Sequence, residues 1–173
     1  MSGRACLSLG SNIDPERHVA IAFAALRTRF GAIRASKAYR TPAVGFDGAD
    51  FVNAAAVIDS DLDVHALNAW LHALEDAHGR DRSGPRHGDR TLDIDIVLYD
   101  DLVLAGAGNL RLPRPELRHA FVLRPLAEIA PEVVDPASGR TLAELWAGSP
   151  ERGVAMAEVA LPGGVTSAAL PAS

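Results

Sequence analysis

At about 150 residues per domain, a chain of 173 residues is one domain, and 48% hydrophobic with 23% charged side chains excludes a disordered, collagen-like or coiled-coil protein. Seventeen basic against 22 acidic residues leave a net charge of −5, the wrong balance for a protein whose main partner is nucleic acid. Cys6 is the single cysteine, so neither an internal disulfide nor a Cys/His zinc site is expected. The opening apolar run is too short for a signal peptide, and nothing approaches the roughly 18 apolar residues of a membrane span. A cytoplasmic chain is expected.

Residues 6–9 alternate and run into Gly10-Ser11-Asn12, a short strand and its turn. Asp14-Pro15 opens a helix, with Asp14 as N-cap, and Val19, Phe23, Leu26 and Phe30 recur at helical spacing up to Gly31. A second strand is expected over residues 33–39, a Gly/Pro/Asp-rich loop over 41–50, and a third strand over 51–58. Asp63 caps a second helix with Val64, Leu67, Trp70, Leu71 and Leu74 on one stripe, ending at Gly79. A loop without apolar periodicity fills 80–90, and residues 91–99 form the strongest strand, with Leu92, Ile94, Ile96 and Leu98 turned into the core. Two short strands within 102–112 and helices over 121–129 and 142–146 complete a domain over 1–147, followed by a loosely held tail over 148–173. The order β-α-β-β-α-β predicts an α+β, ferredoxin-like antiparallel sheet with both helices on one face, an added hairpin and C-terminal helices.

Chemistry concentrates in three places. Asp93 and Asp95 share one face of their strand, where two carboxylates repel and lose solvation unless a hard divalent cation joins them; alone, the pair also reads as the solvated face of an amphipathic strand. Arg80, Arg82, Arg86 and Arg90 crowd the loop just before it, and planar guanidinium forks suit polyphosphate oxygens. Their own pairing with Asp81 and Asp89 does not account for their abutting paired aspartates, which favours a phosphoryl-transfer site. Phe51 and Asn53 share a strand face, setting a stacking surface beside an amide able to donate and accept; taken alone, that segment reads as a routine hairpin. A ferredoxin-like RNA-binding module would need a basic face and exposed sheet aromatics, and the net charge of −5 and the lack of an aromatic-rich strand motif argue against it.

Together Leu9-Gly10-Ser11-Asn12, Tyr39-Arg40-Thr41-Pro42, Phe51-Val52-Asn53-Ala54-Ala55, Glu75 with Gly79-Arg80, Arg90-Thr91-Leu92-Asp93-Ile94-Asp95-Ile96 and the run from Phe121 to Pro131 resemble the 6-hydroxymethyl-7,8-dihydropterin pyrophosphokinase family. The resemblance implies diphosphate transfer from ATP to 6-hydroxymethyl-7,8-dihydropterin, releasing AMP, on the route to tetrahydrofolate. It implies two Mg²⁺ ions on Asp93 and Asp95, catalytic roles for Arg80, Arg90 and Asp95, and ATP contacts from Glu75, Arg80, Arg82, Arg90, Ile96 and Arg114. It implies a pterin held by Thr41, Pro42, Ala43, Val44, Phe51, Asn53 and Phe121, in a monomer that needs neither nucleic acid nor membrane. Departures from the family pattern are His87 for an aromatic, Asp89 for a small residue or proline, Arg114 for a histidine, and one residue fewer before Phe121. They define the alternative, a diverged paralogue that binds a pterin or nucleotide without efficient transfer.

Overall fold

The computed structural model describes residues 3–43, 48–79, 91–106 and 110–162. Its centre is β1 (Gly3–Ser11), longer than its alternating sequence predicts because it is flanked on both sides, by β4 (Phe51–Ser60) and β5 (Asp93–Tyr99). With β2 (Arg34–Ala35), β3 (Ala38–Thr41) and β8 (Ala157–Val159), the main sheet runs β5-β1-β4-β3-β8, with β2 also on β4, and all its pairings are antiparallel.

Period-two alternation along β1 splits the core in two. Ala5, Leu7 and Leu9 face α1 (Pro15–Phe30) and α2 (Val64–Ala77), where Val19, Phe23, Leu26, Leu67 and Leu71 meet them. Cys6 faces the other side, among Ala55, Val57, α3 (Ala120–Ile129) and α4 (Leu142–Ala147). Each fully buried leucine or phenylalanine in these layers contributes about 1.5–3 kcal/mol.

Local chemistry explains most element ends. Asp63 accepts from the Ala66 N–H at 2.8 Å and starts α2, while Gly31, at φ 80°, ends α1 by donating its N–H to the Arg27 carbonyl. Asp14 precedes α1 as expected, but its backbone is left-handed (φ 45°) and its side chain makes no cap bond. Capping needs an extended backbone there, so Asp14 instead lies 3.5 Å from Arg17.

The single strand expected over residues 33–39 is two, β2 (Arg34–Ala35) and β3 (Ala38–Thr41). Ser36 interrupts it: its hydroxyl accepts the Ala55 N–H at 2.8 Å while its own N–H donates to the Ala55 carbonyl. Four steps from Ala35 to Tyr39 face three steps on β4, from Ala56 to Asn53, so one residue bulges. A second bulge lies in β5. Leu7 pairs with Ile96 and Cys6 with Leu98, leaving Val97 extra. Leu92, Ile94 and Ile96 enter the first core as expected, but Val97 and Leu98 both enter the second.

The strands β6 (Leu104–Ala105) and β7 (Arg111–Leu112) pair as a separate hairpin, a 3₁₀ turn (Pro115–Arg118) leads into α3, and Thr141 with Glu144 forms a capping box on α4. Of the segment expected as a loose tail, the described part, up to residue 162, returns to the sheet: β8 (Ala157–Val159) pairs with β3, and Met156 is buried against Tyr39 and Ala120, while residues 163–173 lie outside the described residues. Gly, Ala, Pro and Ser dominate the sequence after Gly148, which hides that short apolar and strand-forming stretch.

Candidate functional site

The second face of the sheet is covered by α3 and α4 at one end, and its other end carries the polar residues. β5 sets Asp93 opposite Gly10 and Asp95 opposite Ser8; β4 sets Asn53 opposite Gly10 on the other flank; β3 sets Tyr39 opposite Asn53 and Thr41 opposite Phe51. One row therefore reads Asp93, Gly10, Asn53, Tyr39 across four strands. At the usual strand spacing, Asp93 and Asn53 backbones stand about 10 Å apart.

Gly10 keeps that row clear. A Cβ there would sit 3.0 Å from the Asn53 Oδ1 and 3.7 Å from the Phe51 ring, so any side chain would fill the strip between amide and carboxylates. Asn53 is buried, and its Nδ2 donates to the Thr41 Oγ1 at 2.5 Å, which fixes the amide plane. Asn12 donates from Nδ2 to the Ala49 carbonyl at 3.3 Å, tying the end of β1 to the loop before β4.

Asp93 and Asp95 are half-buried. Burial first, and the Asp93 charge second, push the Asp95 carboxyl up to about 8, against the opposing pull of Arg114. Arg114 is anchored by its N–H on the Val97 carbonyl, and its guanidinium reaches Asp95 Oδ1 at 3.4 Å and Glu116 Oε2 at 3.3 Å. Two like charges this costly to ionise together suit a divalent cation. Two carboxylates supply hard oxygen donors and leave most of an ion's shell to water or phosphate oxygens, the donor set that Mg²⁺ takes.

Glu75 approaches from behind. It is buried on α2, and its Oε2 accepts the Ile94 N–H at 2.9 Å, between the two aspartates. Replacing Glu75 with alanine strands that N–H and is expected to cost about 1–3 kcal/mol. Thermal unfolding checks this: Glu75→Gln, which keeps an oxygen acceptor, should melt several degrees above Glu75→Ala, and equal melting points would refute the role. Ile96, expected to contact ATP, has its side chain in the first core, facing away from the aspartates, so only its backbone can meet a nucleotide.

Phe121 lies in the first turn of α3, packed against the cluster of Tyr39, Ala120 and Met156, and the His119 ring stacks on it at 5.5 Å with 11° between planes. Tyr39 is the register partner of Asn53, so Phe121 flanks the same row. Thr41, Pro42, Ala43, Phe51, Asn53, Phe121, Asp93, Asp95, Glu75 and Arg114 lie within the described residues, whereas Val44, Arg80, Arg82 and Arg90 lie outside them. The sequence reading assigned no role to Gly10 as a spacer or to Ser8; the Leu9-Gly10-Ser11-Asn12 motif was the only signal for the former.

The sequence profile of the family described as 7,8-dihydro-6-hydroxymethylpterin-pyrophosphokinase (HPPK) matches residues 6–131. The chain belongs to that family. A 2-amino-4-hydroxy-6-hydroxymethyldihydropteridine pyrophosphokinase from Synechocystis is 39% identical over 145 residues, covering 82% of this chain and 73% of its own. Those from Methylorubrum extorquens and Pseudomonas aeruginosa are 39% and 37% identical, covering 83% and 89% of this chain and 92% and 96% of theirs. Solved HPPK structures share the fold: a Plasmodium falciparum HPPK-DHPS with pterin and p-hydrobenzoate superposes with a TM-score of 0.68 at 13% identity, over 88% of this chain and 45% of that one. The pyrophosphokinase described here thus spans less than half of that longer chain. Among its described residues no helix is long and apolar enough to cross a membrane.

Proposed function

We propose that this pyrophosphokinase transfers the β,γ-diphosphate of ATP to the hydroxymethyl oxygen of 6-hydroxymethyl-7,8-dihydropterin in folate biosynthesis, using Mg²⁺. Family membership carries the reaction; the row Asp93, Gly10, Asn53, Tyr39 carries our assignment of it to this face. In the reaction the hydroxymethyl oxygen attacks the β-phosphorus, the bond from that phosphorus to the oxygen bridging it to the α-phosphorus breaks, AMP leaves and the hydroxyl proton is lost.

Asp93 and Asp95 would hold the Mg²⁺ ions at one end of the row. When bound, the metal would neutralise phosphate charge and orient the polyphosphate. Asn53, oriented by Thr41, would match the amino and oxo edge of the pterin at the other end, with Phe51 and Phe121 as stacking rings. The clear strip over Gly10 would let the hydroxymethyl group extend toward the phosphates. Arg80, Arg82, Arg90 and Arg114 would neutralise phosphate charge, with Arg114 exchanging Asp95 for a phosphate oxygen. We also read the order β5-β1-β4-β3, with α1 and α2 on one face, as ferredoxin-like, with β2 and β8 as additions. We further propose that the enzyme works in the cytoplasm as a monomer.

The test is AMP release by the purified protein. AMP should form only with the dihydropterin present, in equal amount to diphosphorylated pterin, and EDTA should abolish it. Binding of both substrates without AMP would overturn the proposal in favour of a non-transferring paralogue.

A further inference from the structure

We infer that Glu151 is a positioning residue of the pterin site, acting through His119 and the first turn of α3 on Phe121. The inference rests on the stacking role proposed for Phe121. Glu151 lies beyond α4, well past residue 131, where the family match ends.

Its carboxylate makes two bonds into the entrance of α3. Oε1 accepts the Ala120 N–H at 3.2 Å, and Oε2 lies 3.1 Å from the His119 Nδ1. An ionised carboxylate only accepts, so the proton of that second bond sits on Nδ1. His119 is the N-cap residue of α3 yet makes no side-chain cap bond, so Glu151 supplies from a distance what the local sequence does not. The same contacts, the Ala120 N–H first, hold the Glu151 carboxyl below the ordinary range.

His119 is in turn stacked on Phe121 with nearly parallel rings. Fixing the imidazole from behind therefore fixes the pitch of one face of Phe121, and a flat heterocycle would take the other. Glu151 is itself held. Its N–H donates to the Ser149 Oγ and its carbonyl accepts from the Val154 N–H, and just beyond, β8 pairs with β3 while Met156 packs on Tyr39 and Ala120. The segment from Ser149 to Val159 thus clamps the stacking residue to the strand that neighbours Asn53.

A remote cap that only stabilised α3 would lower the melting point without touching substrate selectivity. The experiment compares Glu151→Ala, Glu151→Gln, Phe121→Ala and the Glu151→Ala/Phe121→Ala double variant in the full chain. Each is titrated with 6-hydroxymethyl-7,8-dihydropterin and with a non-hydrolysable ATP analogue plus Mg²⁺, alongside steady-state kinetics and thermal unfolding. Glu151→Ala should raise the pterin Kd and KM about tenfold, with the analogue Kd and kcat within about twofold, as lost orientation of one ring predicts. Glu151→Gln should fall between, because its amide oxygen still accepts from Ala120 while its nitrogen cannot accept from His119; it carries the test if the alanine variant does not fold. The double variant should bind pterin no more weakly than Phe121→Ala. An unchanged pterin Kd with a lower melting point, or additive losses in the double variant, would overturn the inference. A Phe121→Ala variant that binds pterin normally would instead overturn the stacking reading beneath it.

Discussion

Asparagine at position 95 is expected to lower Mg²⁺-dependent AMP formation by about 10³-fold or more while making the metal-free protein more stable, not less. The two effects share one cause. Asp95 is half-buried beside Asp93, and its carboxyl is held well above the ordinary range in spite of Arg114, so ionising it works against the fold. The native state then binds a proton that the unfolded chain has already released. The stability of the metal-free wild type should therefore fall as pH rises between about 4 and about 8, a decline that Asp95→Asn flattens. Added Mg²⁺ should raise the melting point of the wild type at pH 8 and leave that of Asp95→Asn unmoved. Thermal unfolding at three pH values, with and without Mg²⁺, checks all of this. A variant that loses activity but still gains stability from Mg²⁺ would move the metal away from Asp95.

Alanine at Asn53 should weaken 6-hydroxymethyl-7,8-dihydropterin binding about 100-fold and leave nucleotide binding near wild type. A site built to hydrogen-bond a heterocycle edge loses most when the amide that reads that edge is removed, because the ligand's polar edge is then desolvated without partners. Asn53 is suited to this because its amide is already oriented by the Thr41 hydroxyl and faces no side chain at Gly10. Thr41→Val should produce a smaller loss of about three- to tenfold, since it frees the amide without deleting it. Calorimetric titration with each ligand separates the outcomes. Equal losses for pterin and nucleotide would mean that Asn53 supports the sheet and does not read the pterin.

Much of the fold was legible because its signals are local. Asp63 with its helical stripe, Gly31 after Phe30 and the strand expected over 51–58 each carry their own instruction, and the structure follows them. The failures are where a distant partner decides. Ser36 breaks a strand because Ala55 offers it both a donor and an acceptor, and Val97 bulges because β1 has one residue fewer to set against it. Asp14 has the right side chain for a cap on the wrong backbone. At the site, residue types and strand parity placed Asp93 with Asp95 and Phe51 with Asn53, but pairing register alone revealed that Gly10 lies between them. Glu151 was invisible in the sequence, since nothing local links it to a helix that begins 31 residues earlier, at Ala120.

The three residues of β8 also bear on how the protein behaves in crowded solution. Without them β3 would end the sheet, offering the backbone of Ala38, Tyr39 and Arg40 as a template for another chain's strand. β8 takes up that template and replaces it with a rim that is short and mostly exposed, where Glu158 pairs with Lys37. A short charged rim is a poor seed for strand addition, so the segment that braces α3 also guards this edge of the sheet against pairing with another chain.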